Sequence, residues 1–466
     1  MMKPDIQNRK PNYLATAGIV LQGLLLLITL RTSAQQRPVT LPALLQLAED
    51  NYPLLKSKRL DVQAAQKDID ASRSSFIPSL DAAYQLNYAT YNNITGMSYP
   101  GQLLPISGPP SADNQYDGVF GSAASLLLNW QPVTFGQRQS QVDFAKAGLQ
   151  YASADAANEI FQHKIKVVNT YLELLVLDDL TKVYENNLER LASNLLNVQS
   201  LIVSGIRPGV DSPLLKAEIS RAKVELLNHK NKQTQARITL SELLVTDTLG
   251  SLSDTLFFRK LPIIVSTSDV THHPLIQLYE AGNEINIARK DMIAKATRPS
   301  LGIWGTTYAR GSGISYNGTV ESTDGLGFQR FNYGVGFQLS IPLLQFARIR
   351  PRLIQQDFVI SSGQQRLDAA ALQLKKQRQL ADTTLTNAFA IAAESPLYLE
   401  SAQFSYKAVR SRYESGLANL PDLFQAQYAL VKAEVDYRLA HTGVWKALLY
   451  KAAVEGDLNI FISQVK

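Results

Sequence analysis

The sequence predicts a mixed α/β chain, mostly very long α-helical hairpins joined to four antiparallel strands and arranged as two similar halves. Three observations carry this expectation. Asn51-Tyr52-Pro53-Leu54-Leu55 is echoed by His272-His273-Pro274-Leu275-Ile276, and Pro78-Ser79-Leu80 by Pro299-Ser300-Leu301, both 221 residues apart. Such a period is far longer than a solenoid unit and fits a duplicated half. Runs of alternating apolar and polar residues follow each proline motif, and long coiled-coil patterns, the first of them proline-free, follow the strands.

Lys3, Arg9 and Lys10 precede an apolar stretch from Leu14 to Leu30, closed by Thr32-Ser33-Ala34. This is the layout of a signal peptide over residues 1–34, cleaved after Ala34. An uncleaved anchor is the competing reading, and Gln22, Arg31 and Ala34 argue against it. Nothing after Ala34 offers 18 or more consecutive apolar residues, so any later membrane contact must be made by strands.

The first half spans residues 41–245, with strands at about 79–91 and 118–131, a long helix at about 137–203 and a return helix at about 212–244. In its first strand Leu80, Ala82, Tyr84, Leu86 and Tyr88 alternate with Asp81, Ala83, Gln85, Asn87 and Ala89, the period of a strand with one apolar and one polar face. The long helix carries a heptad seam through His163, Val167, Leu174, Thr181, Leu191 and Val198. At ~1.5 Å per residue it runs about 100 Å. It ends at Ser204-Gly205-Ile206-Arg207, where glycine fits a helix C-cap, and Pro213 fits the first turn of the return helix.

Residues 246–270 read as a linker. The second half spans 271–456, with strands at about 300–310 and 328–341, a long helix at about 348–414, a return helix at about 421–455, and a tail at 457–466. Phe331, Tyr333, Val335, Phe337 and Leu339 alternate with Asn332, Gly334, Gly336, Gln338 and Ser340. Both clear strands are about ten residues long, enough to cross a bilayer when tilted. The loops at about 92–117 and 311–327 are rich in Gly, Pro, Asn and Ser and read as exposed. Pro396 inside the second long helix is expected to kink it or remove a hydrogen bond. The second turn, Ser415-Gly416-Leu417-Ala418, is followed by Pro421 and Asp422.

Composition excludes much. The 466 residues include no cysteine, which removes disulfides, thiolate metal sites and lipid attachment to an N-terminal cysteine. The formal charge of +6 falls to +3 without residues 1–34, too weak a balance for nucleic acid. The five histidines form no His-Glu-x-x-His, and no Gly-x-Ser-x-Gly or phosphate-loop sequence occurs. The chain therefore reads as no enzyme, with no cofactor and no metal. Four strands with a polar face cannot close a barrel alone, so closure needs several chains. A soluble antiparallel sheet, and with it a periplasmic coiled-coil scaffold or adaptor, is the alternative.

The order Ile77-Pro78-Ser79-Leu80, Leu128-Asn129-Trp130-Gln131-Pro132, Phe135-Gly136-Gln137-Arg138 and Tyr171-Leu172-Glu173-Leu174-Leu175, with second-half counterparts ending at Arg412-Tyr413-Glu414-Ser415-Gly416, resembles the outer-membrane efflux protein family, the TolC-like channels. Two departures stand out: Ala347 replaces the glycine found at Gly136, and Pro396 interrupts a helix. The resemblance implies a homotrimer in the cell outer membrane. Each chain would give four strands to one twelve-stranded transmembrane β-barrel, with a coiled-coil α-barrel as a periplasmic tunnel. The implied function is passive conduction from a periplasmic adaptor (membrane fusion) protein and inner-membrane pump to the outside, in tripartite efflux or type I secretion.

On that reading Leu80, Tyr84, Leu86, Phe331, Tyr333 and Phe337 face outer-membrane lipid, and Asp81, Gln85, Asn87, Asn332 and Gln338 line the pore. Tyr88, Tyr91, Trp130, Trp304, Tyr308 and Phe328 are candidates for interfacial girdles. The periplasmic gate candidates are Asp422, Asp211 and Arg207, and the adaptor-docking turn candidates are Gly205, Ile206, Gly416, Leu417 and Ala418. An aspartate opening a helix also caps it, which is the expected role of Asp211; for Asp422 gate and cap both stand.

Overall fold

The computed structural model describes residues 40–90, 92, 113–114, 116–247, 249–250, 256–263, 273–315 and 319–465. Residues 1–34, Tyr91, His272 and most of the 92–117 loop and the 246–270 linker lie outside the described residues. In chain order the elements are α1 (Leu41–Asn51), α2 (Pro53–Ser74), β1 (Ser79–Ala89), β2 (Val119–Val133), α3 (Gln137–Val203), α4 (Asp211–Leu244), α5 (Leu256–Arg259), α6 (Pro274–Lys295), β3 (Ser300–Ser312), a 3-10 turn (Ser322–Leu326), β4 (Arg330–Ser340), α7 (Gln345–Glu414), α8 (Leu420–Glu455) and α9 (Asn459–Ile462). The described residues form two compact units, one within 53–161 and 268–378, the other within 40–52, 162–267 and 379–465.

The first unit holds the sheet. α2 and α6 are each 22 residues long. Pro53 and Pro274 open them, since proline at the first helical position has no N–H to leave unpaired. His273 caps α6, its Nδ1 accepting the Leu275 N–H at 3.1 Å. The strands run antiparallel in the order β1-β2-β3-β4. Phe135 (φ 47°) and Gly136 (φ 94°) turn β2 into α3, and the Arg298 guanidinium donates to the Phe135 carbonyl at 2.8 Å. The other junction has no left-handed residue, because α7 begins at Gln345 and Ala347 is already helical. That accounts for the missing glycine.

The second unit is helical. α3 buries more than one heptad seam. His163, Val167, Leu174, Thr181, Leu191 and Val198 are buried as the pattern expects, but so are Val168, Tyr171, Leu172, Leu175, Leu180, Val183, Asn187 and Asn194. The cause is that α3 packs against neighbours on two sides. Leu191 and Val198 share one core with Leu215 and Ala222 of α4, Ala402, Tyr406 and Tyr413 of α7, and Leu423, Leu430 and Ala433 of α8. Polar side chains inside it are paired. Asn194 donates to Tyr406 at 3.2 Å, and Gln427 donates to Asn187 at 2.8 Å. Arg190 grips Glu434 through two bonds of 2.8 Å.

Pro396 removes a backbone hydrogen bond, one of its two expected effects, without interrupting the helix: α7 is continuous for 70 residues. The Ala392 carbonyl, which a non-proline residue at 396 would have bonded, instead accepts the Ser395 hydroxyl at 3.1 Å. The described residues of the tail, 457–465, include α9 and are packed. Phe461 of α9 lies against Trp445 and Phe257, with ring centroids 5.8 and 6.4 Å away, and Trp445 lies 4.9 Å from Phe257. The Trp445 indole N–H donates to the Lys260 carbonyl at 3.0 Å, so described linker residues also join this core.

Candidate functional site

Two places gather the residues singled out by the sequence: the faces of the sheet and the tips of the hairpins. The strand register fixes the faces. Leu80 pairs with Leu128, Leu128 with Gly305 and Gly305 with Val335. By the same pairing Tyr84, Ala124, Ala309 and Phe331 share a level, and Ile303 lies opposite Phe337. Because side chains alternate, Leu80, Tyr84, Leu86, Phe331, Tyr333 and Phe337 all stand on one face, with Leu126, Leu128 and Trp130 between them. The strands place no charged residue on that face. The other face carries Asp81, Gln85, Asn87, Asn332 and Gln338, together with Asn129, Ser125, Thr306 and the arginines Arg310 and Arg330.

Trp304 and Tyr308 depart from the girdle expectation. Both stand on the polar face, and Trp304 lies over β4 where a Cβ at Gly336 would come within 2.8 Å of its ring. The glycines of β4 leave room for an indole that the neighbouring strand supplies. Trp130 is on the apolar face, donating to the Phe76 carbonyl at 3.0 Å. Every residue of β1 is exposed on both faces, and in β4 Phe331, Tyr333, Val335 and Phe337 are 75 to 89% exposed. Among the described residues of one chain, no strand lies beside the outer edges of β1 and β4.

At the hairpin tips the two turns are built alike. Gly205 (φ 74°) and Gly416 (φ 81°) take the left-handed conformation that closes a helix C-terminus. The next N–H reaches back in each case, Ile206 to the Leu201 carbonyl at 2.9 Å and Leu417 to the Arg412 carbonyl at 2.7 Å. Ile206 and Leu417 are left 54% and 71% exposed. Ala418 is partly buried and its carbonyl accepts from Arg207 at 2.8 Å.

Arg207 and Asp211 meet on Tyr413. The buried Asp211 carboxylate accepts the Tyr413 hydroxyl at 2.7 Å. The Arg207 guanidinium lies 3.9 Å over the same ring and donates to the Tyr413 carbonyl. Burial first, then the bond to Asp211, hold the Tyr413 phenol well above its ordinary pKa, with Arg207 opposing. The hydroxyl is therefore a permanent donor at neutral pH. Asp211 is not a cap, which corrects the expectation for it: the residue before α4 is Val210, and no side chain caps that end. Asp422 does cap. Its N–H donates to Asn419 at 2.9 Å and its carboxylate accepts the Asn419 N–H at 3.3 Å, a reciprocal capping box.

A second cluster of the same composition ties α4 to α8. Tyr428 donates to Glu218 at 2.5 Å, Arg221 lies 4.2 Å over the Tyr428 ring, and Arg221 pairs with Glu218 at 3.0 Å. The Tyr428 phenol is pushed up to about 12 by burial and then by Glu218. The sequence marks Tyr413 within the Arg412-Tyr413-Glu414-Ser415-Gly416 motif and does not single out Tyr428, because a tyrosine on an apolar stripe looks alike whether or not its hydroxyl has a distant partner. Among the described residues no group of His, Asp and Glu is arranged to hold a metal, and no helix is long and apolar enough to cross a membrane.

The fold has counterparts among known proteins. The outer-membrane channel OprN shares the fold at a TM-score of 0.72 with 16% identity, over 89% of this chain and 89% of that one. The outer membrane protein VceC from Vibrio cholerae matches at 0.70 and 14%, over 90% and 96%. The Neisseria gonorrhoeae outer membrane channel MtrE matches at 0.71 and 14%, over 90% and 89%. At these identities the likeness is one of fold, that of outer-membrane channels. No curated protein sequence matches the chain. The family model described as outer membrane efflux protein matches residues 44–245, the first of the two similar halves, so this part of the chain is similar to that family.

Proposed function

We infer that the protein is a homotrimeric export duct. The observation that carries this is the sheet: among the described residues, four strands with two unpaired edges, one face free of charge and the opposite face polar. In hydrocarbon an open edge leaves backbone groups unpaired at a cost of several kcal/mol each, so closure is obligatory. Three copies joined β1 to β4 give twelve strands, an even antiparallel barrel with lipid outside and water inside. The repeated element order reads as a duplicated half, each contributing one strand pair and one hairpin.

The helical hairpins form the periplasmic tunnel and its gate. Arg207 and Asp211 hold the second hairpin through Tyr413, and opening requires that hydrogen bond and the stacked guanidinium to be released together. Asp422, three copies around the axis, is placed to attract cations at the constriction while capping its own helix. The exposed Ile206 and Leu417, carried on the Gly205 and Gly416 turns beside Ala418, offer an apolar surface for a periplasmic adaptor coupled to an inner-membrane pump. Conduction is passive, with the pump choosing the cargo. Native mass spectrometry of the detergent-extracted protein tests the assembly. Three chains per particle are expected, and a particle of one or two chains would overturn the duct.

A further inference from the structure

The polar face of the sheet carries a charge arrangement that a water-filled channel does not require. Three strand residues are charged, Asp81, Arg310 and Arg330, and all three stand on that face. Arg310 and Arg330 are directly opposite each other on β3 and β4. Directly opposed like charges on an antiparallel pair are destabilising, since their Cβ atoms lie only about 5 Å apart. Both side chains are exposed, and among the described residues neither has a carboxylate within ion-pair distance. Arg330 makes a single bond, to the Gln329 carbonyl at 3.1 Å. Asp81 sits at the level of Thr306, four residues along β3, or about 13 Å at ~3.3 Å per residue.

The described loop residues fix the backbone beside this pair. Gln329 donates through its N–H to the Arg310 carbonyl at 3.0 Å and through its amide to the Asp324 carbonyl at 3.1 Å, which pins the strand ends. The 3-10 turn lies on the apolar face: a Cβ at Gly311 would meet the Gly327 carbonyl, and Phe328 meets Tyr84 edge to face at 6.3 Å. The loop's own acids, Glu321 and Asp324, are within ion-pair distance of neither arginine. Arg310 and Arg330 stand at the loop-connected ends of the strands, the ends away from α6 and α7.

We propose that Arg310 and Arg330, two from each of three chains, form a ring at the outer mouth of the barrel that binds multivalent anions, phosphate or sulfate groups on solutes leaving the channel. The inference rests on the trimeric duct proposed above. Guanidinium groups in pairs match such oxyanions bidentately, and binding relieves the repulsion that opposes the pair in its absence. The ring makes the outer end of the lumen attractive to anions, while Asp81 forms a separate, weaker acidic level deeper in the barrel.

Isothermal titration of the detergent-purified, full-length protein with inorganic tripolyphosphate tests the ring, with electron microscopy of the same sample reporting its assembly. Saturable binding is expected that weakens at least tenfold in Arg310→Gln/Arg330→Gln and is largely kept in Arg310→Lys/Arg330→Lys. Binding that is absent, or equal in the wild type and the glutamine variant, in particles that are three-fold rings would overturn the anion site and leave the duct standing. Particles without three-fold symmetry would overturn the duct, and the site with it, because the arginines would then never converge.

Discussion

Removing one oxygen from the hairpin tip tests the gate most sharply. Tyr413→Phe keeps the ring beneath Arg207 and deletes the hydroxyl that Asp211 accepts at 2.7 Å. Asp211 is only 7% exposed and would be left buried with its strongest partner gone. A hydrogen bond to a charged group is worth about 1.5–3 kcal/mol, which shifts a two-state equilibrium by roughly 10- to 150-fold per chain. Only the closed state makes this bond in the proposed mechanism, so the whole shift favours opening. Single-channel recording in planar bilayers reads it directly: the variant is expected to raise open probability by at least tenfold over the wild type. Arg207→Ala should act in the same direction, as it removes both the stacked cation and the bond to the Ala418 carbonyl. Equal open probabilities for wild type and Tyr413→Phe, with both proteins trimeric, would refute the latch.

Other consequences are accessible to simpler measurements. Val335→Arg, in the middle of the apolar face, should cost roughly 2–4 kcal/mol of barrel stability and deplete the protein from outer-membrane fractions, whereas Gln338→Arg on the polar face should leave its abundance near that of the wild type. Ser395→Ala strips the Ala392 carbonyl of its partner and should lower stability in denaturant by about 1–3 kcal/mol; in a Pro396→Ala background, where the backbone N–H returns, the same change should cost far less. Tyr428 has a folded pKa near 12, above its unfolded value of about 10, so its contribution to stability is complete below pH ~10 and is lost as pH rises from there through 12. Difference titration of tyrosinate absorbance between wild type and Tyr428→Phe should reveal one late-ionising group, and a difference curve centred near pH 10 would remove the coupling to Glu218.

The parts of the fold that repeat a short period were legible in the sequence. β1 and β4 alternate cleanly, so their faces followed from the period of two alone. β2 and β3 were harder. Leu126-Leu127-Leu128 is apolar on both sides, and Trp304 and Tyr308 put large rings on the polar face of β3, where only the cross-strand glycines of β4 explain how an indole fits. The hairpin turns were visible because Ser-Gly recurs and glycine is the residue that a left-handed C-cap favours. What joins the tips was not visible. Arg207 and Asp211 are far along the chain from Tyr413, and nothing in the local pattern separates a packed tyrosine from one whose hydroxyl closes a latch. The core of Phe257, Trp445 and Phe461 was missed for a related reason: its members lie on short or separate segments with no periodicity to connect them. Pro396 misled only as to continuity, because the side chain just before it supplies the lost backbone donor.

The central claim is that three copies of this sheet close on one another. Electron cryo-microscopy of the purified protein in detergent or nanodiscs measures this directly. The account predicts a three-fold particle whose membrane ring contains twelve strands, with the β1 edge of each chain hydrogen-bonded to the β4 edge of the next. Single chains, or a sheet whose β1 and β4 edges remain unpaired in the particle, would contradict it.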